Sequence, residues 1–400
     1  MNARPDIVAD VPMAAELIAR ARAMAPTLAA RAAQGERDRR LPKETIADMQ
    51  AAGLFRVLQP KRWDGFELDI RTYFEIQMAL AEGDMSVAWV YGVVGVHPWA
   101  MALFDDRAAD DVWGKDKSTL ISSSLMPSGV ATPVPGGFRV QGRWKYSSGC
   151  EHCDWAFLGA TVGGAAGGYA DRCLFLLPRS DYEIVDTWHV SGLKGTGSHD
   201  IAVKDAFVPA HRMLRYADNF RGIAPGLAIN TAPLYRLPWG QVFFRGVATA
   251  SIGALQGMFD TFLDYGKSRV NRMFGTKAFD DPTVQLSCAE VAVGLDEMKT
   301  ILHRNLHNLE AYAARGELPP LAERIHYKFH SARAAERCGE LATKLFKAAG
   351  AAGIYADLPF GRILADITAA RQHVSNQYET IGRNSGAAMF GAEDTKDFSL

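Results

Sequence analysis

From Val11 to Gln34 the chain is alanine-rich and sets Leu17, Ile18, Ala21, Met24 and Leu28 along one face at helical spacing. Lys43 to Leu58 repeats the pattern through Ile46, Met49, Leu54 and Val57, with Gly53 as a candidate break. Arg71 to Glu82 carries Tyr73, Ile76, Gln77 and Leu80 in the same way. The uncharged run from Ser86 to Phe104 is apolar on every side, which predicts the most buried helix of this part. Helices without intervening strand signals predict an N-terminal helical domain over residues 1–117.

The texture changes near Ser118. Thr119 to Leu125, Gly137 to Gly142, Trp155 to Val162, Cys173 to Pro178, Tyr182 to Trp188 and Ile201 to Val208 read as short strands punctuated by Gly, Pro and Asp. With no helical pattern between them they predict a small β-barrel or sandwich over residues 118–232. After Leu237 the chain turns helical again. Val242 to Arg269, Pro282 to Arg315, Pro320 to Ala349 and Gly361 to Asn384 predict a four-helix bundle over residues 233–400.

Composition narrows the class. The chain has 400 residues, too many for one simple core, and a net charge of −1. Near-neutrality gives no case for nucleic acid or an anionic membrane as partner. Five scattered cysteines point to reduced thiols and a cytoplasmic protein. The acidic start MNARPDIVADVP is not that of a signal peptide. Ala88 to Phe104 is slightly short for a membrane span and contains His97 and Pro98. Cys150-Glu-His-Cys153 has no second cysteine pair at zinc spacing, so no metal is expected.

The stretch richest in chemistry runs from Gly136 to Gly149. A Gly-Gly turn leads into alternating residues, then Trp144, Lys145, Tyr146, Ser147, Ser148 and Gly149. Two adjacent hydroxyls can bond the nitrogens and carbonyls of a flat ring, and Trp144 or Tyr146 can supply an apolar wall. A surface hairpin with an aromatic edge is the plainer reading of the same residues. His97 alone is a core histidine before it is a catalyst, Ser122 to Ser124 can be strand filler bonding backbone, and His303, His307, His326 and His330 read as structural.

Taken with the order of the domains, these motifs resemble the acyl-CoA dehydrogenase fold: an N-terminal all-α domain, a central β-barrel domain and a C-terminal four-helix bundle. Gly142 to Gly149 is similar to that family's flavin-contacting turn, Trp188 to Asp200 to its next strand pair, and Arg269 to Gly275 to its Arg-x-x-Phe-Gly segment. The resemblance implies flavin contacts from Trp144, Tyr146, Ser147, Ser148, Thr196, Ser198, Arg272 and Phe274. Acyl-CoA dehydrogenases carry a catalytic glutamate near Tyr-Glu-Gly-Thr. This chain has Tyr378-Glu379-Thr380, without the glycine, so Glu379 is the base only in the alternative dehydrogenase reading with bound FAD.

The branch of oxygenase components in two-component flavin-dependent aromatic hydroxylases is the better match. Gly95-Val96-His97, Ser122 to Ser124, Ser147-Ser148 and His373 match its residues in order. That likeness implies catalytic roles for His97 and Ser123 at a phenol oxygen, for Ser147 or Ser148 at flavin N5, and for His373 near the reacting ring. It implies reduced FMN or FAD and O2, with hydroxylation through a flavin C4a-hydroperoxide, and related enzymes act on indoles or heteroatoms. It also implies a separate flavin reductase, a small aromatic substrate and a homotetramer. No Gly-x-Gly-x-x-Gly follows a strand in a Rossmann arrangement, consistent with a chain that never binds nicotinamide.

Overall fold

The computed structural model describes residues 10–163, 171–270, 275 and 277–392. The N-terminal part holds α1 (Asp10–Asp38), α2 (Lys43–Ala51), α3 (Ile70–Ala81), α4 (Met85–Val94), α5 (His97–Met101) and α6 (Asp106–Trp113). Asp69 and Asp84 cap α3 and α4 by accepting from the amides of Thr72 and Ser86, which satisfies donors the helices leave open. The run expected as one helix from Ser86 to Phe104 is two. It breaks at Gly95-Val96, because Pro98 has no amide to continue the ladder and is tolerated only in the first turn of a new helix. That break makes His97 the first residue of α5, and α6 is an element the hydrophobic pattern did not signal.

A seven-stranded sheet follows: β1 (Ile121–Val134), β2 (Gly137–Ser147), β3 (Trp155–Val162), β4 (Arg172–Pro178), β5 (Glu183–Val185), β6 (His199–Pro209) and β7 (Met213–Arg215), in the order β5-β6-β2-β1-β3-β4-β7. Only β1 and β3 pair in parallel, with Ser123 opposite Phe157. The first two strands run longer than expected, β5 is shorter, and β7 was not anticipated. The sheet curls over itself: Phe138 on β2 and Phe175 on β4 meet edge to face with ring centroids 5.2 Å apart, although two strands separate them. Ala131, Val140, Trp144, Leu158, Phe175 and Val203 fill the inside of the curl. Among the described residues no ladder joins β5 to β7, so the barrel has an open seam.

Trp144 plugs that inner core. It is fully buried, its indole N–H donates to the Gly159 carbonyl at 2.5 Å, and a Cβ at Gly129 would lie 2.1 Å from its ring. A side chain at position 129 would therefore evict the indole, which is why the strand carries glycine there.

The C-terminal part contains α7 (Tyr216–Arg221), α8 (Trp239–Phe243), α9 (Gly246–Ser268), α10 (Pro282–Ala314), α11 (Leu321–Ala349), α12 (Phe360–Ala370) and α13 (Tyr378–Met389). Two expected helices are split here as well: Val242 to Arg269 begins as α8 and restarts at α9, and Gly361 to Asn384 is α12 and α13. Residues 239–268 are apolar and long enough to cross a membrane, but most of this segment is buried inside the fold, as befits a core helix. The Gln77 side chain on α3 donates to the Gly246 carbonyl at 2.8 Å and to Ala88 at 3.0 Å, tying α3, α4 and α9 together. One continuous apolar core joins the N-terminal helices, the outer face of the sheet at Phe157, Leu174 and Leu176, and the C-terminal helices. The site forms where these three parts meet.

Candidate active site

His97 is fully buried at the start of α5. Its Nδ1 faces the Ile121 carbonyl, and its Nε2 lies 3.0 Å from Ser123 Oγ. A carbonyl only accepts, so Nδ1 carries the ring proton and Nε2 presents a lone pair. The Ser123 hydroxyl therefore donates to Nε2. Burial pushes the imidazole pKa down to about 3, so the ring is neutral at physiological pH. Phe157 and Phe243 each approach it with centroids at 5.3 Å, giving an apolar setting for one pair of polar atoms. Strand alternation separates the three serines: Ser122 and Ser124 bond the Trp155 and Lys145 carbonyls, while Ser123 points the other way, to His97. The filler reading holds for two of them.

A second group forms where β2 ends against α4. The Trp89 indole donates to Ser148 Oγ at 3.1 Å, Ser148 Oγ lies 2.7 Å from Ser198 Oγ, and Thr196 Oγ1 lies 2.6 Å from Ser198 Oγ. This ladder runs from α4 to the loop before β6. Trp89 also meets the His373 ring edge to face at 5.7 Å. His373 is not in the last helix. It lies in the turn between α12 and α13, where Nδ1 accepts from the Ser375 amide at 3.2 Å and leaves an N–H on Nε2. Its edge keeps some solvent contact, yet dense surrounding protein and the nearby Lys328 ammonium push its pKa down to about 4. Asn376 staples this turn to Val247 on α9 at 3.2 Å and to Ala370 on α12 at 2.9 Å.

The two groups thus share one spine. From α4 into α5, Trp89 reaches the serine ladder and His97 reaches Ser123, while a Cβ on Gly149 would lie 2.8 Å from Val90 Cγ1 between them. Trp89 escaped sequence reading because it sits in a uniformly apolar helix; its only signal was the need of a buried indole N–H for an acceptor.

Other expected contacts fall elsewhere. Trp144 belongs to the sheet core. Tyr146 is 58% exposed and packs edge to face on Trp188 at 5.4 Å. Ser147 is fully buried, and among the described residues its hydroxyl has no hydrogen-bond partner. Arg272 and Phe274 lie outside the described residues. Glu379 is exposed on the first turn of α13, a poor place for a base that must work in a dry site. His303 pairs with Glu75 at 2.8 Å, and His330 faces Asn305 at 3.0 Å beside His326. Burial raises the Cys150 thiol to about 12, and Cys153 also rises, so both stay protonated.

The chain matches the family model for the acyl-CoA dehydrogenase N-terminal domain over residues 14–104 and that for the C-terminal domain over residues 245–378. It is 40% identical over 355 residues to the flavin-dependent monooxygenase oxygenase subunit HsaA of Mycobacterium tuberculosis, covering 88% of this chain and 90% of that protein. The chain belongs to the flavin-dependent monooxygenase oxygenase subunits of the acyl-CoA dehydrogenase fold. Among solved structures, 3-HSA hydroxylase from Rhodococcus sp. RHA1 superposes with a TM-score of 0.92 at 37% identity, over 96% of this chain and 99% of that one. XiaF from Streptomyces, solved with FADH2 and glycerol, superposes with a TM-score of 0.89 at 26% identity, over 96% and 98%. The dehydrogenase alternative is set aside by these relatives and by the exposure of Glu379.

As a member of this family the oxygenase uses reduced flavin and O2. Its residues suit the cofactor: the Thr196–Ser198–Ser148 ladder offers hydroxyls at one edge, and the buried Ser147 hydroxyl lacks a partner that a ring nitrogen or carbonyl could supply.

Proposed function

We propose that this oxygenase hydroxylates a small phenol on the carbon ortho to its oxygen, with reduced FMN or FAD delivered by a separate flavin reductase. The single observation that carries the reading is the His97–Ser123 pair: one lone pair and one hydroxyl, aimed at each other inside an aromatic setting. A phenol O–H can take the place of the Ser123 hydroxyl as donor to Nε2. Ser123 then turns its hydroxyl to the phenol oxygen, and both polar atoms of the pair stay satisfied. Because His97 is a weak base in its buried state, it holds the substrate as a neutral, hydrogen-bonded phenol. It takes the proton as the ring attacks electrophilic oxygen and the O–H acidifies, which places the transfer in the transition state.

The bound flavin supplies the electrons that activate O2. Ser148, with Ser147 beside it, would face flavin N5; Thr196, Ser198, Tyr146, Arg272 and Phe274 would complete the cradle. His373, neutral and carrying its proton on Nε2, would donate to oxygen, with Trp89 against its ring. Apolar packing by Phe157 and Phe243 keeps water from the His97–Ser123 pair. The test is turnover: with any reductase that releases reduced FMN or FAD, a panel of phenols should yield catechols. Oxygen consumption without catechol from any phenol, or catechol formation unchanged by loss of the His97–Ser123 pair, would sink the reading.

We also propose a cytoplasmic homotetramer assembled through the C-terminal helices. Leu286 and Val293, two turns apart on α10, are exposed and apolar, as a covered helix face would be. Light scattering on the purified protein should give four times 43.6 kDa; a monomer would refute the assembly.

A further inference from the structure

The loop that carries Thr196 and Ser198 is clamped by a residue with no place in the chemistry so far. Leu193 sits at φ 54, a left-handed conformation that a branched residue holds only when its surroundings impose it. Its carbonyl accepts from Trp188 Nε1 at 2.9 Å and from Thr196 Oγ1 at 2.8 Å. Its amide donates to Asp366 Oδ1 on α12 at 2.6 Å. Next to it, a Cβ on Gly192 would lie 2.2 Å from the Ala365 carbonyl, so loop and helix touch backbone to backbone. A continuous chain of hydrogen bonds therefore leads from Asp366 through Leu193, Thr196, Ser198 and Ser148 to Trp89. The same helix α12 runs on into the turn that holds His373.

We propose that Asp366 is a positioning residue for the oxygenase reaction: through the Leu193 amide it holds the hydroxyl ladder in register with the His373 turn. It touches neither substrate nor flavin. It acts by fixing one wall of the site relative to the other, so that oxygen is transferred to the ring before it escapes as hydrogen peroxide. The inference rests on the reading above for what the ladder faces, but the clamp itself is a property of the protein alone.

The carboxyl is fully buried, and the groups around it come from every neighbouring element. Asp84 caps α4, Glu36 lies on α1, Arg362 on α12, and Lys194 on the loop sits 3.8 Å from Glu36. Burial, then Asp84, push the Asp366 pKa up to about 7. The sign is that of an acid raised on folding: between about pH 4 and 7 the folded protein keeps a proton that the unfolded chain has lost, so this residue's contribution to stability declines as pH rises through that window. Neutral His97 and His373, whose pKa values are depressed, work in the opposite sense below about pH 6.5. Only a comparison of variants separates the two effects.

Asp366→Asn keeps a carbonyl acceptor and removes the charge; Asp366→Ala removes both. In hydrogen exchange on the flavin-free protein, D366A should speed exchange of the Leu193 amide at least tenfold, and D366N should protect it as well as wild type does. Between pH 5 and 8 the melting temperature of D366N should rise relative to that of wild type, because the decline contributed by Asp366 is gone. In turnover, D366A should raise the share of oxygen released as peroxide roughly threefold with KM for the phenol unchanged, and D366N should restore coupling. Thr196→Val, which cuts the next link, should uncouple to a similar extent while leaving the Leu193 amide protected, and it stands in if D366A does not fold. Unchanged Leu193 exchange in D366A, uncoupling in D366N equal to that in D366A, or a fully coupled T196V would overturn the proposal. The exchange and melting measurements need neither flavin nor substrate, so failure of the phenol reading would leave their outcome intact.

Discussion

His97→Ala is expected to lower catechol formation by about 10²- to 10⁴-fold, the usual worth of a positioned base, while oxygen consumption continues with release of peroxide. The variant removes the Nε2 lone pair that accepts from Ser123. It also leaves the Ile121 carbonyl without its imidazole donor, so some loss of stability, about 1–3 kcal/mol, should accompany it. Ser123→Ala should cost less, because the phenol can still donate to His97. The pH profile separates this account from that of an ordinary titrating histidine. With the pKa held near 3, the resting imidazole is neutral throughout pH 5–8, so His97 should contribute no acid limb there. A limb with a midpoint near 6.5 that vanishes in H97A would contradict the buried, neutral assignment. Both activity and peroxide can be read in one stopped-time assay of catechol and hydrogen peroxide.

Ser148→Ala is the second large effect. Ser148 is the hub where the Trp89 indole meets the Ser198 and Thr196 hydroxyls. Its loss strands the Trp89 N–H in a half-buried site, at a cost of about 1–3 kcal/mol. It also removes the hydroxyl proposed to face flavin N5. The expected result is peroxide release raised by about tenfold, corresponding to about 1.4 kcal/mol in the partition between transfer and escape. Ser147→Ala provides the contrast. The Ser147 hydroxyl has no partner among the described residues, so its removal should leave stability unchanged or slightly improved. If S147A uncouples and S148A does not, the two serines exchange roles and the ladder loses its connection to the chemistry.

How much of this was legible in the sequence depends on the kind of signal. Amphipathic periodicity located α1, α10 and α11 because each buries one stripe against a common core, and it located α3 although that helix is buried on nearly every side. The same signal could not find the breaks at Gly95 and Arg245, where both sides stay apolar, or the one at Arg371–Gln377, since period alone does not register a change of direction. Those breaks matter most, as they put His97 at a helix start and His373 in a turn. Trp144 reads the same as a ring-binding tryptophan or as a core plug; only the curl of the sheet over Gly129 decides for the plug. Ser123 could be singled out from Ser122 and Ser124 by resemblance, and strand alternation supplies the physical reason. The Asp366 clamp could not be read at all, because a lone aspartate in an amphipathic helix carries no mark of the loop it will meet 173 positions earlier in the chain.

The central claim is that this chain transfers one atom of dioxygen to a phenol ring held by His97 and Ser123. It is tested most directly by turnover under ¹⁸O2 with a reductase, reduced flavin and a phenol that yields product, followed by mass spectrometry of the catechol. The account predicts one ¹⁸O atom in the new hydroxyl for the wild type. For H97A it predicts almost no labelled catechol, with the label recovered in hydrogen peroxide. A catechol oxygen derived from water, or labelled catechol formed by H97A at the wild-type rate, would contradict it.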